Sequence, residues 1–350
     1  MGGQQGEDAR LRRDLVALAL IGVLLIAALA AGGVTVYRSF YSPAAFVMRY
    51  LTLLAHGDAA DALALPGVAL DADELAAAGL PATASDAMLR QAALGSLDDL
   101  RVTGEEPSGA DTIVTVSFTA GDQPGTMSFA VARDGITGIA PTWRFAQSPL
   151  AVIDVTVAGS MAFDVNGFQV DKRQVSTDGA DADPAASVPL LVFAPGVYAV
   201  GVDTSISATE GTVVLVDAPR TSTPVAIEAQ ATAEFTALVQ QRVEEFLTDC
   251  ATQQVLLPTG CPFGFVIENR VQDLPQWSIV QQPQITLVPD GGGLRIVDTA
   301  AVAHIDVGVV SLRNGVFSQV SQDVPFTVDG TISIAVDGAA SILIGGTSDI

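Results

Sequence analysis

The chain has 350 residues, room for two or three domains, and 49% of them are hydrophobic, enough to bury real cores. Acidic residues outnumber basic ones 39 to 16, a net charge of −23. Such a polyanion cannot neutralise nucleic-acid phosphates, so nucleic acid is excluded as a partner, and anionic lipid headgroups repel the body.

Residues 1–14 make a short polar tail. Glu7, Asp8 and Asp14 balance Arg10, Arg12 and Arg13, so the whole charge excess lies beyond it. Leu15 to Tyr37 follows without a charge. That is the length of a transmembrane helix crossing a bilayer core of roughly 30 Å. The three upstream arginines place the tail in the cytoplasm, although Arg38 and Arg49 weaken the contrast. The expectation is a single-pass protein of the cell membrane, with the N-terminus cytoplasmic and the body extracellular. Ala28-Leu29-Ala30 offers a second reading, a signal-peptidase site behind a short apolar core. The run's continuation through Val34, Val36 and Tyr37 favours a retained anchor. Both readings export the body. The basic residues are nearly all Arg, with one Lys, and Ala is abundant. That composition points to a GC-rich, actinobacterial genome, with a halophile as the weaker alternative.

Pro43 to Leu65 reads as an amphipathic helix with Phe46, Tyr50, Leu51 and Leu54 at helical spacing, broken at His56-Gly57-Asp58. Short helices are expected after Asp71 and after Ser85. The period then changes to two. Leu100–Thr103, Thr112–Thr119, Thr126–Arg133 and Thr142–Ala146 read as strands, with turns at Pro107-Ser108-Gly109, Gly121-Asp122 and Asp134-Gly135. Helices followed by a meander make an α+β domain over 43–147.

An all-β, sandwich-like domain is expected over 149–218. Its strands are Val152–Val157, Met161–Val165, Leu190–Phe193, Val197–Asp203 and Thr212–Val216, and Asn166-Gly167 signals a tight hairpin. Ser176 to Ser187 reads as a solvated acidic loop. A third, α+β domain spans 225–345. Its helix, Ala229–Cys250, puts Phe235, Leu238, Val239, Val243, Phe246 and Leu247 on one face. An antiparallel meander follows: Trp277–Val288, Gly293–Val307, Gly308–Val320 and Val324–Val336.

Cys250 and Cys261 fall in one helix-to-strand connection. An even count at short spacing in an exported chain reads as a disulfide. A redox pair usually needs Cys-x-x-Cys. His56 and His304 are in different domains, too few and too far apart for a zinc site, and read as structural. Asp178, Asp181 and Asp183 read as a solvated loop, with calcium as the alternative. Lys172, the single lysine, lacks a glycine-rich approach and a Ser three residues before it. No Gly-x-Ser-x-Gly elbow occurs either. No catalytic residue, cofactor site or metal site is therefore assigned, and the chain is expected not to be an enzyme.

Val165-Asn166-Gly167 and Ala194-Pro195-Gly196-Val197-Tyr198-Ala199-Val200 resemble PEGA-type β-domains, which pair an Asn-Gly hairpin with a Pro-Gly-x-Tyr-x-Val strand. The aromatic helix Phe46–Leu65 with Gly57-Asp58-Ala59 resembles nuclear-transport-factor-like cone domains. One anchor followed by these two domains is similar in layout to TcaA-type envelope proteins of Gram-positive bacteria. Those usually carry a cytoplasmic four-cysteine zinc ribbon, which this chain lacks. The resemblance implies a non-catalytic scaffold whose partners are a cell-wall polymer or another envelope protein. Its alternative is small-ligand binding in the cone, in a deep pocket lined by Phe46, Tyr50, Phe118, Phe129 and Trp143. A secreted hydrolase, with acid and nucleophile brought from distant positions, is the third reading.

Overall fold

The computed structural model describes residues 18, 20–25, 37, 40–138 and 140–346. Most of the expected anchor, 15–37, lies outside the described residues, as does the tail. Among the described residues, no helix is long and apolar enough to cross a membrane. The protein is predominantly β, built from several sheets with a few helices.

Helix α1 (Pro43–His56) starts where the Ser42 side chain accepts from the Ala45 amide, with Pro43 in the first turn. It stops at Gly57, whose φ of +82° favours glycine. α2 (Ala59–Leu63) restarts behind Asp58. α3 (Ala72–Ala77) carries a full capping box between Asp71 and Glu74. The helix expected after Ser85 is instead two 3-10 turns, 86–88 and 91–93. The Ser85 backbone pairs across the molecule with Pro189 and Leu191.

A meander follows: β1 (Leu97–Ser108), β2 (Asp111–Ala120), β3 (Gln123–Thr137) and β4 (Ala140–Phe145), in sheet order 1-2-3-4. Asp134-Gly135, expected as a turn, is a bulge inside β3, where the register shifts between Arg133 and Gly135. The chain turns instead at Gly138, with φ +65°.

Next come β5 (Leu150–Ala158), β6 (Ala162–Val165), β7 (Phe168–Asp171), α4 (Lys172–Val175), β8 (Val188–Phe193), β9 (Gly196–Gly201), β10 (Ser207–Ala208), β11 (Thr212–Val216), β12 (Ser222–Glu228) and β13 (Gln230–Ala231). They form a three-stranded sheet 12-5-8, a four-stranded sheet 11-9-6-7 and the short pair 10-13. Asn166 and Gly167 both have positive φ (52° and 80°), as a two-residue turn that follows the strand twist requires. β12, which lies past the expected end of this unit, runs parallel to β5 from Ser222↔Val152 to Glu228↔Ala158. One continuous core runs from Val47 to Ala229 and so joins the first two units.

The second core begins at Ile206 and ends at Ile332. Helix α5 (Ala233–Ala251), capped by Thr232, buries Phe235, Val239, Val243 and Leu247, a stripe at four-residue spacing. Phe246 at its margin is half-buried, and Leu238, expected on the same face, is exposed. Its sheet holds β14 (Arg270–Val271), β15 (Gln276–Gln281), β16 (Leu287–Asp290), β17 (Gly293–Val310), β18 (Phe317–Ile334) and β19 (Ala340–Gly345). Trp277–Val288 splits into β15 and β16 around Pro283, which donates no ladder bond. The breaks expected at 307–308 and 320–324 are absent. β17 runs on through Gly308, which pairs with Gln319 of β18 and where a Cβ would meet the Phe317 ring and the Asp273 side chain. The chain reverses between Val310 and Phe317, with Gly315 at φ +69°.

Candidate functional site

α1 and β2–β4 direct their aromatic side chains inward, but these do not line one common pocket; among them Phe118 alone borders a surface depression, beside Asp99, Arg101 and Ser117. The Tyr50 ring is fully buried, with centroids 5.2 Å from Phe145, 6.2 Å from Phe129 and 6.4 Å from Phe193. Phe46 lies 4.9 Å from Phe145. The Tyr50 hydroxyl donates to the Ala194 carbonyl at 3.0 Å, and burial pushes its pKa up. Phe118 is buried apart from these rings, packed over Gly125. Trp143 is half-buried and donates through Nε1 to the Tyr41 carbonyl at 2.9 Å. The structure thus brings Phe46, Tyr50 and Phe129 together, and Phe118 and Trp143 do not join them. Their side chains fill the interior expected to hold a ligand. Phe145 and Phe193 complete the cluster. The Trp143/Phe145 alternation of β4 could have flagged Phe145, and Phe193 closes the apolar run of β8 as its one aromatic residue.

Cys250 and Cys261 are bonded, with Cα atoms 5.9 Å apart. The bond ties the end of α5 to the loop after it. Closing this short loop stabilises by roughly 2–3 kcal/mol on a chain-entropy estimate.

His304 and its neighbours form a constellation that sequence spacing hid. His304 and Asp306 on β17 pair with Asp323 and Ser321 on β18. Nδ1 of His304 meets Asp323 Oδ1 at 2.6 Å, and Nε2 meets Ser321 Oγ at 3.0 Å. Asp306 Oδ2 lies 3.5 Å from Nε2. The contacts match a Ser–His–Asp triad, but two features set the group apart from one. The Asp323 hydrogen bond pushes the imidazole pKa up and Asp306 adds to it, against a desolvation cost. That shift favours the charged imidazolium over the neutral ring that accepts a serine proton. Successive amides of a strand point to opposite edges, so no two neighbours of Ser321 converge on one oxyanion. The group is a cross-strand ion cluster on the open face of the sheet.

Among the described residues, no group of three His, Cys, Asp or Glu side chains is placed to hold a metal, Asp178, Asp181 and Asp183 included. The acidic segment is instead held by Lys172, which is fully buried. Its Nζ donates to the carbonyls of Val157 at 3.1 Å, Pro184 at 2.5 Å and Ala186 at 3.2 Å. Burial lowers its pKa, and Asp183 offsets part of that. All three ammonium protons are used, which makes this burial tolerable.

Between the two cores lies a cleft of about 350 Å³. β7 contributes Gln169 and Asp171, and α4 contributes Arg173 and Gln174. The loop before β10 and the turn between β18 and β19 form its walls. Arg173 grips Asp171 through Nε at 2.8 Å and Nη2 at 2.6 Å. Burial works against the Asp171 carboxylate, but these bonds hold its pKa below the ordinary value. Among the described residues, Gln169 and Gln174 make no side-chain hydrogen bond, and the buried Ser207 Oγ in the wall has no partner. A wider depression of about 600 Å³ beside Asp99, Arg101 and Ser117 is shallow and open to solvent. No protein-family model, curated protein or solved structure matches the chain.

Proposed function

We propose that the chain is a single-pass, actinobacterial envelope protein that displays a non-catalytic scaffold outside the membrane. Residues 15–37 are its anchor and 1–14 its cytoplasmic tail. The first unit is read as cone-like, the middle one as a PEGA-like β-domain and the third as a disulfide-bearing α+β domain. Its partners are a cell-wall polymer or another envelope protein. One observation carries the reading: both cysteines of the chain are joined to each other, in a body that follows a long charge-free apolar run. A structural disulfide belongs to an oxidising compartment.

Two further observations support it. Leu20, Ile21, Val23, Leu24 and Leu25 expose more than half of their surface, an apolar set without protein cover that suits lipid. The aromatic interior of the first unit is self-filled, which favours a scaffold over a ligand cone. Crosslinking in the native envelope, with mass spectrometry of the adducts, tests the reading. Adducts to wall glycan or to membrane proteins are expected. Adducts confined to cytosolic proteins, or hydrolase activity in the purified protein, would count against it.

A further inference from the structure

We propose that the cleft between the two cores is a binding site for a neutral, hydroxyl-rich ligand of one or two sugar units. Its volume of about 350 Å³ falls at the small end of ligand pockets, which run to about 1,000 Å³. Pockets of this kind form preferentially between domains, and here β7 and α4 of the N-terminal unit face Ile206 and Ile334, which pack with the second core.

The chemistry of the lining selects the ligand class. Arg173 is the only cation in it, and the fork to Asp171 neutralises that charge. Asp337 adds a carboxylate, so the lining carries no surplus positive charge. A phosphate or carboxylate ligand therefore meets no countercharge, in a chain that already carries −23. Gln169 and Gln174 each offer a carbonyl acceptor and an amide donor, and these side chains are exposed and uncommitted among the described residues. A sugar hydroxyl both donates and accepts, so it matches such groups two at a time. The ion pair fixes the guanidinium plane beside them, which lowers the ordering cost of a bond to a hydroxyl oxygen. Met161 and Val336 supply a small apolar surface for the C–H face of the ring. No aromatic platform is in the lining, so the affinity is expected to be millimolar.

This inference does not depend on where the body is displayed, so its failure leaves the envelope reading intact. Saturation-transfer NMR on the detergent-solubilised full chain tests it, with N-acetylglucosamine, chitobiose and maltose as probes and glucose 6-phosphate as the anionic comparator. Transfer from at least one neutral sugar is expected, with weaker transfer from the phosphate ester. The double variant Gln169→Ala, Gln174→Ala is expected to weaken binding at least tenfold, about 1.4 kcal/mol. Neither side chain has a bond to lose, so circular dichroism should show an unchanged fold. No transfer at about 10 mM, tenfold above the millimolar affinity expected, would overturn the proposal. So would stronger binding of the phosphate ester, or wild-type binding by the double variant.

Discussion

In the N-terminal core, helices and three sheets cover one another's apolar faces, from Val47 through to Ala229. In the C-terminal unit a single large sheet packs α5 and its loops on one face and leaves the other to solvent, where His304, Asp306 and Asp323 stand. The first arrangement is closed by packing alone, down to a fully buried tyrosine and a fully buried lysine. The second carries the chain's only crosslink. A one-sided sheet buries less apolar surface per residue than a covered one, so a covalent staple has more to contribute there.

The contrast is sharpest if the two cores respond separately to substitution. Tyr50→Ala removes a buried ring from the centre of the N-terminal core and is expected to cost about 3–5 kcal/mol in urea denaturation. Tyr50→Phe, which leaves the Ala194 carbonyl unpaired, should cost about 1–2 kcal/mol. If both variants shift the C-terminal transition equally, the two cores unfold as one and the contrast fails.

Lys172→Met keeps the apolar stem but abandons three carbonyls. An expected loss of roughly 2–4 kcal/mol should come with protease cleavage inside 176–187. A variant as stable and as resistant as the parent would mean that the acidic segment holds itself. Cys250→Ser with Cys261→Ser should cost about 2–3 kcal/mol, confined to the C-terminal transition. Equal loss from both transitions would contradict the staple's local role.

The smallest effect concerns His304. Its folded pKa is raised, so its stabilising contribution is fully present below the ordinary imidazole pKa and fades as pH rises through the raised one. Histidine NMR should find the His304 pKa above the ordinary value, and Asp323→Asn should lower it. An unmoved pKa in that variant would remove Asp323 as the main cause.

Much of this architecture was legible in residue order. The Gly57 break in α1, the Asp71 cap, the Asn166-Gly167 turn and the α5 stripe are local signals, and each appears where its chemistry placed it. What stayed hidden depends on partners far along the chain. Ser85 looked like a helix cap, but Pro189 and Leu191 claim its backbone. Asp134-Gly135 looked like a turn, but the pairing of β3 with β4 absorbs it as a bulge. Strand β12 alternates over Val225 and Ile227, but Pro224 within the short run argues against a strand, and the parallel pairing with β5 defines it. The aromatic residues of α1 were correctly read as inward, yet spacing could not tell a lined pocket from a filled core. His304, Ser321 and Asp323 are up to 19 residues apart and meet only through the register of β17 and β18.

Protease shaving of intact cells tests the placement of the body most directly. With epitopes on the N-terminal tail and the C-terminus, the account predicts that external protease removes the C-terminal epitope while the tail epitope stays protected until lysis. The Cys250–Cys261 bond should be fully formed in the released fragment. Protection of both epitopes in intact cells, with both cysteines free to alkylation after lysis, would contradict it.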